Sequence, residues 1–327
     1  MSFWRGKKIL VTGAGGFVGS HVVEELLRRG ARVTAGDRFS SSVWRENLKA
    51  VLKDVRKLKG DFRSVSDCVK ACRGQDVVLN LAAKVGGVSY NSTHHGSIFR
   101  DNVLIATNMI EAARQRDVAR FLVVSTACVY PRHCAIPTPE TEGFREAPEA
   151  TNEGYGWAKR MAEYVGRAYK EQYGMSVAIA RPYNAYGPRD HFDSPDSHVI
   201  AALVRRAVAE EDPMIVWGDG SPSRSFLYVE DMARGLIEVA EKYPEADPVN
   251  LGNDEETTIK SLAETIVRLS GSKARLKWDK AKPMGQPRRR CDVAKAKKVV
   301  GFRARVPLEE GLWRAIEWYR ARRGRAS

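Results

Sequence analysis

Three side chains that could move a proton to or from a hydroxyl group stand in two short segments of the chain. Tyr155 and Lys159 are four residues apart in a predicted helix, so their side chains share one face. A lysine cation beside a phenol favours the phenolate, so we expect Lys159 to lower the pKa of Tyr155 toward neutrality. Thr126 follows a predicted strand and could orient the substrate oxygen with its hydroxyl. Together the three residues predict general acid–base chemistry on a hydroxyl group.

A glycine-rich turn near the start of the chain predicts where a redox cofactor binds. A short apolar strand, Lys8–Thr12, leads into Gly13, Gly16 and Gly19, which have the spacing of a dinucleotide-binding turn. The helix that follows offers free N–H groups to a diphosphate. A second strand leads to Asp37, whose carboxylate could hold both ribose hydroxyls of NAD and would repel the extra phosphate of NADP. The pattern predicts tightly bound NAD as the cofactor, with NADP less favoured.

Short apolar strands alternate with amphipathic helices through the first 181 residues. Predicted strands are Lys8–Thr12, Arg32–Gly36, Lys57–Gly60, Val77–Ala82, Arg120–Ser125 and Val177–Arg181, and predicted helices are Val18–Arg29, Ser66–Cys72, Ile98–Arg116 and Glu153–Tyr173. This alternation predicts an α/β fold with a doubly wound, parallel Rossmann sheet. We expect residues 1–181, with about 226–247, to form an NAD-binding domain. Residues 182–225 and 248–327 are expected to form a smaller, substrate-binding α/β domain.

Composition narrows the class of protein. The 327 residues are 43% hydrophobic, which is ordinary for a globular protein with a substantial core. No apolar run is long enough to span a membrane and no signal-peptide pattern is visible, so we expect a cytoplasmic protein. The five cysteines lack the spacing of a disulfide framework or zinc site, and no metal is expected. The net charge of +14 fits an anionic nucleotide substrate better than nucleic acid, because no nucleic-acid-binding motif accompanies the dispersed basic residues.

Taken together, these motifs resemble those of the extended short-chain dehydrogenase/reductases that act on nucleotide sugars, in the NAD-dependent epimerase/dehydratase family. The resemblance covers nearly the whole chain and includes the glycine turn, Leu81-Ala82-Ala83, Tyr155 with Lys159, and the segments 181–188 and 224–231. It implies cofactor contacts at Gly13, Gly16, Phe17, Val18, Gly19, Asp37, Arg38, Asp61, Phe62, Leu81, Ala82, Ala83, Lys84, Asn102, Tyr155, Lys159 and Pro182. It implies substrate contacts at Gly87, Asn184, Val199, Trp217, Arg224 and Arg288.

The resemblance has two further implications for the substrate and the assembly. Arg224 and Arg288 would bind the diphosphate of a nucleotide sugar, as a forked guanidinium does well. A homodimer would form through a four-helix bundle built from residues 98–116 and 152–173.

Two positions narrow the resemblance to particular branches of the family. Cys128 stands two residues after Thr126, as a cysteine does in both GDP-L-fucose synthases and GDP-mannose 3,5-epimerases. His198 matches a histidine of the GDP-L-fucose synthases, where GDP-mannose 3,5-epimerases carry a lysine. A ketone at sugar C4 acidifies the C–H bonds at C3 and C5, so a thiolate and an imidazole could remove and return a proton there. The resemblance implies Cys128 as the base and His198 as the acid.

The sequence therefore favours an NAD-dependent nucleotide-sugar epimerase. Its expected substrate is a GDP-mannose-like GDP-hexose, inverted at C3, C5 or both through transient oxidation at C4. Two other enzymes stay open, a GDP-4-keto-6-deoxymannose 3,5-epimerase-4-reductase of the GDP-fucose synthase type and a UDP-sugar 4-epimerase. Dehydratases are disfavoured, because they carry an Asp-Glu pair where this chain has Ala127-Cys128. A catalytically silent nucleotide-sensing or RNA-binding protein is opposed by the intact Thr126, Tyr155 and Lys159.

Overall fold

The structure is a computed structural model that describes residues 2–194, 197–281 and 286–324. Its strands are β1 (Lys8–Thr12), β2 (Arg32–Asp37), β3 (Arg56–Lys59), β4 (Val77–Asn80), β5 (Arg120–Val124), β6 (Val177–Pro182), β7 (Ala185–Tyr186), β8 (Met214–Trp217), β9 (Ser223–Arg224), β10 (Leu227–Tyr228), β11 (Val249–Leu251), β12 (Thr257–Thr258), β13 (Leu276–Asp279) and β14 (Arg288–Arg289). Its α-helices are α1 (Phe17–Arg28), α2 (Val43–Asn47), α3 (Val65–Cys72), α4 (Val88–Thr93), α5 (His95–Gln115), α6 (Glu153–Tyr173), α7 (Val199–Val208), α8 (Val229–Lys242), α9 (Ile259–Ser270), α10 (Ala294–Val300) and α11 (Leu308–Arg323).

Seven parallel strands form the central sheet, in the order β11-β6-β5-β4-β1-β2-β3. The chain winds outward from β1 to β3 and then crosses back, so that β4 pairs with the other side of β1. This reversal opens a crevice at the carboxyl ends of β1 and β4, where ligands of such sheets bind. The predicted doubly wound Rossmann sheet is confirmed.

Helices cover both faces of this sheet, which explains why its inner strands, such as β1 and β4, are apolar runs rather than alternating patterns. On one face α1 and α8 bury side chains such as Val22, Leu26 and Leu236. On the other face α3, α5 and α6 bury Cys68 and Met109. None of the helices in the described ranges combines the length and apolar character that a membrane span requires.

A second hydrophobic core lies in the C-terminal half of the chain. It joins α7, α9 and α11 with β8, through residues such as Leu203, Val216, Ile266 and Leu312. The division into two domains remains a prediction. The strand pairing does not follow one of its expected boundaries. Residues 249–251, which we assigned to the smaller domain, pair with β6 at the edge of the large sheet.

Candidate active site

The segment after β5 and the start of α6 bring four of the expected catalytic residues together. Thr126 caps a short 3-10 helix, Ala127–Val129, because its Oγ1 accepts a hydrogen bond from the Cys128 N–H at 3.2 Å. Gly156, beside Tyr155, packs against that helix so closely that a Cβ there would lie 2.5 Å from the Cys128 carbonyl oxygen. Lys159 donates from Nζ to the Val124 carbonyl at 2.7 Å, with its ammonium 5.5 Å from the Tyr155 ring centre.

The ionisation of this group differs from the sequence-based expectation. Burial raises the pKa of Tyr155 well above its usual 10, and the nearby Cys128 adds to the effect. Burial also lowers the pKa of Lys159 to about 8, although Glu163 opposes that shift. In the absence of substrate and cofactor, Lys159 therefore does not bring the pKa of Tyr155 toward neutrality. Loss of solvation outweighs the attraction between the ammonium and the phenolate, and the ammonium is bonded to a backbone carbonyl instead.

A buried ion pair supports the floor of this site. Glu163, one helical turn beyond Lys159, pairs with Arg181 at 2.7 Å, and both side chains are 1% exposed. Ser125 donates its hydroxyl to the same carboxylate, and Arg181 also donates to the Tyr130 hydroxyl at 3.0 Å. The network ties β5, β6 and α6 together directly beneath Thr126, so the catalytic side chains stand on fixed elements.

The glycine turn after β1 leaves no room for side chains. Gly13 has φ +66°, a conformation that favours glycine, and a Cβ there would lie 3.0 Å from the Ala82 amide nitrogen. A Cβ at Gly19 would lie 2.1 Å from the Gly13 carbonyl oxygen, so helix and strand pack backbone to backbone. Gly16 caps α1, whose first turn begins with Phe17 and Val18 and carries N–H groups that have no acceptor in the described part of the chain. This cradle fits a dinucleotide diphosphate.

Asp37 stands at the end of β2 beside the same turn. Its Oδ2 accepts a hydrogen bond from the Gly15 N–H at 3.0 Å, and its Oδ1 accepts one from Phe39 at 3.1 Å. The short helix α2, which we did not predict, closes over the turn because Asn47 donates from Nδ2 to the Gly15 carbonyl at 2.9 Å. Arg38 is exposed. The carboxylate thus lies beside the place that a ribose next to the diphosphate would occupy, within reach of its hydroxyl groups.

The loop after β4 crosses the crevice and is held by Asn102. That side chain accepts from the Lys84 N–H at 3.0 Å and donates to the Lys84 carbonyl at 2.7 Å. The Ala82 N–H donates to Thr12 Oγ1 at 3.0 Å, which ties the loop with Leu81 and Ala83 to the end of β1. Asn102 therefore positions this loop, and Gly87 at its far end caps α4.

The expected adenine contacts lie beyond β3. Phe62 is buried against Gly36, where a Cβ would lie 2.9 Å from its ring. Hydrogen bonds from Arg63, one of them 3.0 Å long from Nε, lower the pKa of Asp61 to about 2. The Asp61 carboxylate is thus an ionised acceptor at the edge of the crevice, already shared with a neighbouring guanidinium.

Arg224 forms the centre of the expected substrate side. It is half-buried in β9, and its described partner is the Ser223 carbonyl, to which Nη1 donates at 2.7 Å. Burial and, to a smaller extent, the charge of Arg289 together lower the pKa of Arg224 to about 10, although Glu256 opposes the shift. Asn184 follows β6 with φ +25° and donates to the Ser225 carbonyl at 2.9 Å, so it lies beside the same strand. Within the described residues no carboxylate forms an ion pair with Arg224.

Arg288, expected as the second diphosphate ligand, is committed elsewhere. Its Nε and Nη2 both donate to Glu256 at 2.8 Å, and its side chain is 51% exposed. In the parallel pairing of β14 with β9, it is Arg289 that lies opposite Arg224. Arg289 Nη2 is buried and has no hydrogen-bond partner among the residues that the structure describes. The structure therefore aligns Arg289, rather than Arg288, with Arg224.

His198 lies outside the Thr126–Lys159 cluster, at the start of α7. Its Nδ1 is 3.2 Å from Oδ1 of Asp190, and this hydrogen bond raises the pKa of the imidazole. No hydrogen bond of the described chain joins His198 to Thr126, Cys128 or Tyr155. Val199 is the first residue of α7, and Trp217 ends β8 with half of its side chain exposed.

Known proteins with similar sequences and folds are consistent with this geometry. The sequence model of the NAD dependent epimerase/dehydratase family matches residues 9–252. The chain belongs to this family. It is 34% identical to the GDP-L-fucose synthase of Escherichia coli strain K12 over 96% of each chain. It is 31% identical to the GDP-mannose 3,5-epimerase of Arabidopsis thaliana, over 95% of this chain and 81% of that protein.

A solved structure extends the likeness to three dimensions. The UDP-glucose 4-epimerase of Thermotoga maritima, crystallised with UDP-glucose, superposes with a TM-score of 0.87 at 28% identity, over 96% of this chain and 99% of that one. The expected family is thus confirmed, and with it the class of nicotinamide-dependent enzymes. A nicotinamide dinucleotide fits the cradle that Gly13, Gly16 and Gly19 form in this member of the epimerase/dehydratase family.

Three residues of this family member escaped the sequence analysis. Glu163 could have been suspected from its place one turn after Lys159, since a carboxylate there faces the same way as the lysine. Arg289 carries no signal that separates it from its two arginine neighbours. Asp190 stands in an irregular loop, where spacing does not indicate what a side chain contacts.

Proposed function

We propose that the chain is an NAD-dependent nucleotide-sugar epimerase that inverts C3, C5 or both of a GDP-mannose-like GDP-hexose. The observation that carries this proposal is the position of Cys128 in the same cluster as Thr126, Tyr155 and Lys159. A thiol next to the residues that handle the C4 oxygen is close to the carbons that a C4 ketone acidifies. Relatives named GDP-L-fucose synthase and GDP-mannose 3,5-epimerase support the same substrate class.

Proton transfer at the C4 hydroxyl falls to Tyr155. Its phenolate accepts the hydroxyl proton, and the Lys159 ammonium would stabilise that phenolate together with the positive charge that bound NAD would supply. The Thr126 hydroxyl holds the C4 oxygen by a hydrogen bond. NAD, when bound in the glycine cradle, supplies the acceptor for the C4 hydrogen and its later return.

Inversion at C3 or C5 falls to Cys128 and His198. The Cys128 thiolate removes the proton from carbon while the electron pair of the C–H bond moves into the enolate of the C4 ketone. His198 delivers a proton to the opposite face, and the enolate collapses back to the ketone. Each residue regains its starting state by proton exchange with water.

The nucleotide diphosphate would lie between two guanidinium groups. Arg224 and Arg289 are adjacent, half-buried and free of carboxylate partners among the described residues, so an anion would relieve their mutual repulsion. Asn184, Gly87, Val199 and Trp217 remain expected contacts of the sugar and nucleobase.

NAD is the proposed form of the cofactor. The Asp37 carboxylate is fixed at the turn by two backbone N–H groups, where it would accept hydrogen bonds from ribose hydroxyls and repel a 2′-phosphate. NAD suits a redox-neutral cycle, because the hydrogen taken from C4 is returned to the same carbon.

A net reductase is the second candidate. It is favoured by His198, which matches the GDP-L-fucose synthases, and by 34% identity to one of them. Such an enzyme would act on a 4-keto-6-deoxy sugar and consume one reduced cofactor for each product.

The proposed assembly is a homodimer through α5 and α6. Tyr155 and Lys159 face inward on α6, whereas Trp157, Met161 and Tyr164 are 38%, 39% and 57% exposed on the opposite face. Phe99 of α5 is 39% exposed beside them. This apolar surface is of the kind that a second copy would cover.

The proposal is tested by NMR of GDP-mannose incubated with the purified enzyme in D₂O without added cofactor. We expect deuterium to enter at C3 or C5, and Cys128→Ser to abolish that incorporation. Cys134→Ser, a nearby cysteine outside the cluster, is the matched control and should leave it unchanged. Absence of exchange on GDP-mannose and on other GDP-hexoses would contradict a self-contained epimerase. Exchange on a 4-keto-6-deoxy sugar with stoichiometric loss of NADPH would establish the reductase instead.

A further inference from the structure

The loop between β7 and α7 places a buried carboxylate under one edge of the His198 ring. His198 Nδ1 lies 3.2 Å from Oδ1 and 3.4 Å from Oδ2 of Asp190. The Asp190 side chain is 1% exposed, whereas that of His198 is 55% exposed. One edge of the imidazole is thus held inside the protein while the rest of the ring stays open.

The loop that carries Asp190 is itself anchored to the helix of the glycine cradle. His21 of α1 is 3.1 Å through Nε2 from the Pro188 carbonyl, and Arg189 pairs with Glu24 of α1 at 2.6 Å. The His191 N–H donates to Asp190 Oδ1 at 2.8 Å, which fixes the carboxylate. Asp190 therefore sets the position of His198 relative to the helix that would hold the cofactor.

An ionised carboxylate accepts hydrogen bonds and donates none, so it selects the state of the ring. Because Nδ1 of His198 faces the Asp190 carboxylate, it carries a hydrogen in both the neutral and the cationic imidazole. Nε2 is then the nitrogen that gains and loses a proton. A histidine that must deliver a proton to carbon requires this arrangement, with one nitrogen held and the other presented.

The place of His198 in the fold makes such a partner necessary. His198 is the N-cap residue of α7, where the positive end of the helix dipole disfavours an imidazolium. The hydrogen bond and charge of Asp190 act in the opposite direction and raise the pKa, against the effect of burial. Asp190 is the charged side chain that contacts this imidazole, at 3.2 Å from Nδ1.

We propose that Asp190 is a positioning residue that fixes the tautomer and orientation of His198, so that Nε2 faces the sugar as the proton donor. The inference rests on the proposed role of His198 as the acid of the epimerisation. It differs from a purely structural role, in which Asp190 would only accept the His191 N–H and hold the loop.

Asp190→Asn separates the two roles. The amide keeps an oxygen in the place of Oδ1, which can still accept from the His191 N–H at 2.8 Å and from His198 Nδ1 at 3.2 Å. It removes the negative charge that favours the imidazolium, so the pKa of His198 should fall. Asp193→Asn, a substitution of an exposed carboxylate three residues away in the same loop, is the matched control.

The first measurement uses ¹⁵N-histidine NMR of the protein without substrate, with the His198 signals assigned by His198→Asn. We expect Nδ1–H in the neutral ring of the wild type and of Asp193→Asn, and a lower imidazole pKa in Asp190→Asn than in either of them. Nε2–H in the wild type, or an unchanged imidazole pKa in Asp190→Asn, would overturn the proposal. Because this readout needs no turnover, it decides on Asp190 even if the proposed epimerase activity is wrong.

The second measurement is deuterium incorporation from D₂O into the nucleotide sugar. Asp190→Asn should slow incorporation by about 10²- to 10⁴-fold, the range that a general acid contributes, with little change in KM. Asp190→Glu should recover part of the rate. Incorporation within about threefold of the wild type, or an equal loss in Asp193→Asn, would overturn the positioning role. No incorporation by the wild type itself would instead refute the proposed function.

Discussion

Replacing Lys159 by methionine should stabilise the cofactor-free protein while it removes the activity. Burial lowers the pKa of Lys159 from 10.5 to about 8, which at about 1.4 kcal/mol for each pKa unit corresponds to roughly 3 kcal/mol of unfavourable folding free energy at neutral pH. Methionine has a similar length and no charge to desolvate. The variant lacks the hydrogen bond from Nζ to the Val124 carbonyl, and this loss lowers the free energy of unfolding by about 1 kcal/mol. We expect a net gain of about 2 kcal/mol in the free energy of unfolding at pH 7.

The sign of the pH dependence identifies the cause. The pKa of Lys159 is lower in the folded chain than in the unfolded chain, so between about pH 8 and pH 10.5 the unfolded chain binds more protons. The stability of the wild type therefore rises with pH in that window relative to Lys159→Met. The advantage of the variant should fall by about 2 kcal/mol between pH 7 and pH 9.5, and so nearly vanish.

Urea unfolding of NAD-free protein, followed by circular dichroism at both pH values, measures this difference. Lys170→Met is the matched control, because Lys170 is on α6 too but pairs with Glu245 at the partly exposed end of the helix. Its effect should be small and nearly the same at both pH values. A Lys159→Met protein that is less stable than the wild type at pH 7, or equally shifted at pH 7 and pH 9.5, would refute the reasoning.

Three further substitutions test the remaining assignments. Arg289→Met should raise the KM for the nucleotide sugar by about 10- to 100-fold, since it removes a charged hydrogen bond to the diphosphate, whereas Arg288→Met should change it less than about threefold. Equal effects of Arg289→Met and Arg288→Met on the KM in steady-state kinetics would contradict the proposed position of Arg289 at the diphosphate. Asp37→Asn should raise the NADP-to-NAD ratio of kcat/KM at least about tenfold, because the carboxylate charge is removed, and an unchanged ratio would show that Asp37 does not select the cofactor. Trp157→Glu should convert the proposed dimer into a monomer in sedimentation analysis, whereas substitution of Trp313, an exposed tryptophan on α11, by Glu should not. A dimer that survives Trp157→Glu would place the interface elsewhere.

The fold was largely predictable because its signals are local. An apolar strand, a glycine turn and an amphipathic helix lie within 30 residues, and Gly13 and Gly19 have the close contacts that their spacing suggests. The shorter elements could not be predicted, because contacts with distant parts of the chain hold them in place. The helix α2 has five residues, and what holds it is the contact of Asn47 with Gly15, 32 positions away. No periodicity within five residues reveals such a contact.

The positions of Tyr155 and Lys159 relative to each other were predictable from the sequence, but their ionisation was not. The spacing of Tyr155 and Lys159 places both side chains on one helix face, and the structure agrees. The direction of the pKa of Tyr155 depends on how completely the phenol is buried and on where the Lys159 ammonium finds its hydrogen bond. Both follow from the packing of β5 against α6. Binding of substrate and cofactor must therefore supply part of the stabilisation of the phenolate, because the protein alone leaves the phenol protonated.

The choice between Arg288 and Arg289 depends on the direction in which successive side chains point along a strand. Neighbouring residues of a strand face opposite sides, so a ligand assignment that is displaced by one residue selects the wrong side entirely. The run Arg288-Arg289-Arg290 offers a guanidinium at every position, so sequence similarity is satisfied by any of them. The register favours Arg289 as the proposed ligand, because β14 pairs with β9 so that Arg289 lies opposite Arg224 while Glu256 neutralises Arg288. Two half-buried, like-charged guanidinium groups side by side are unfavourable in the free protein, and that repulsion is the reason to expect a dianionic group between them.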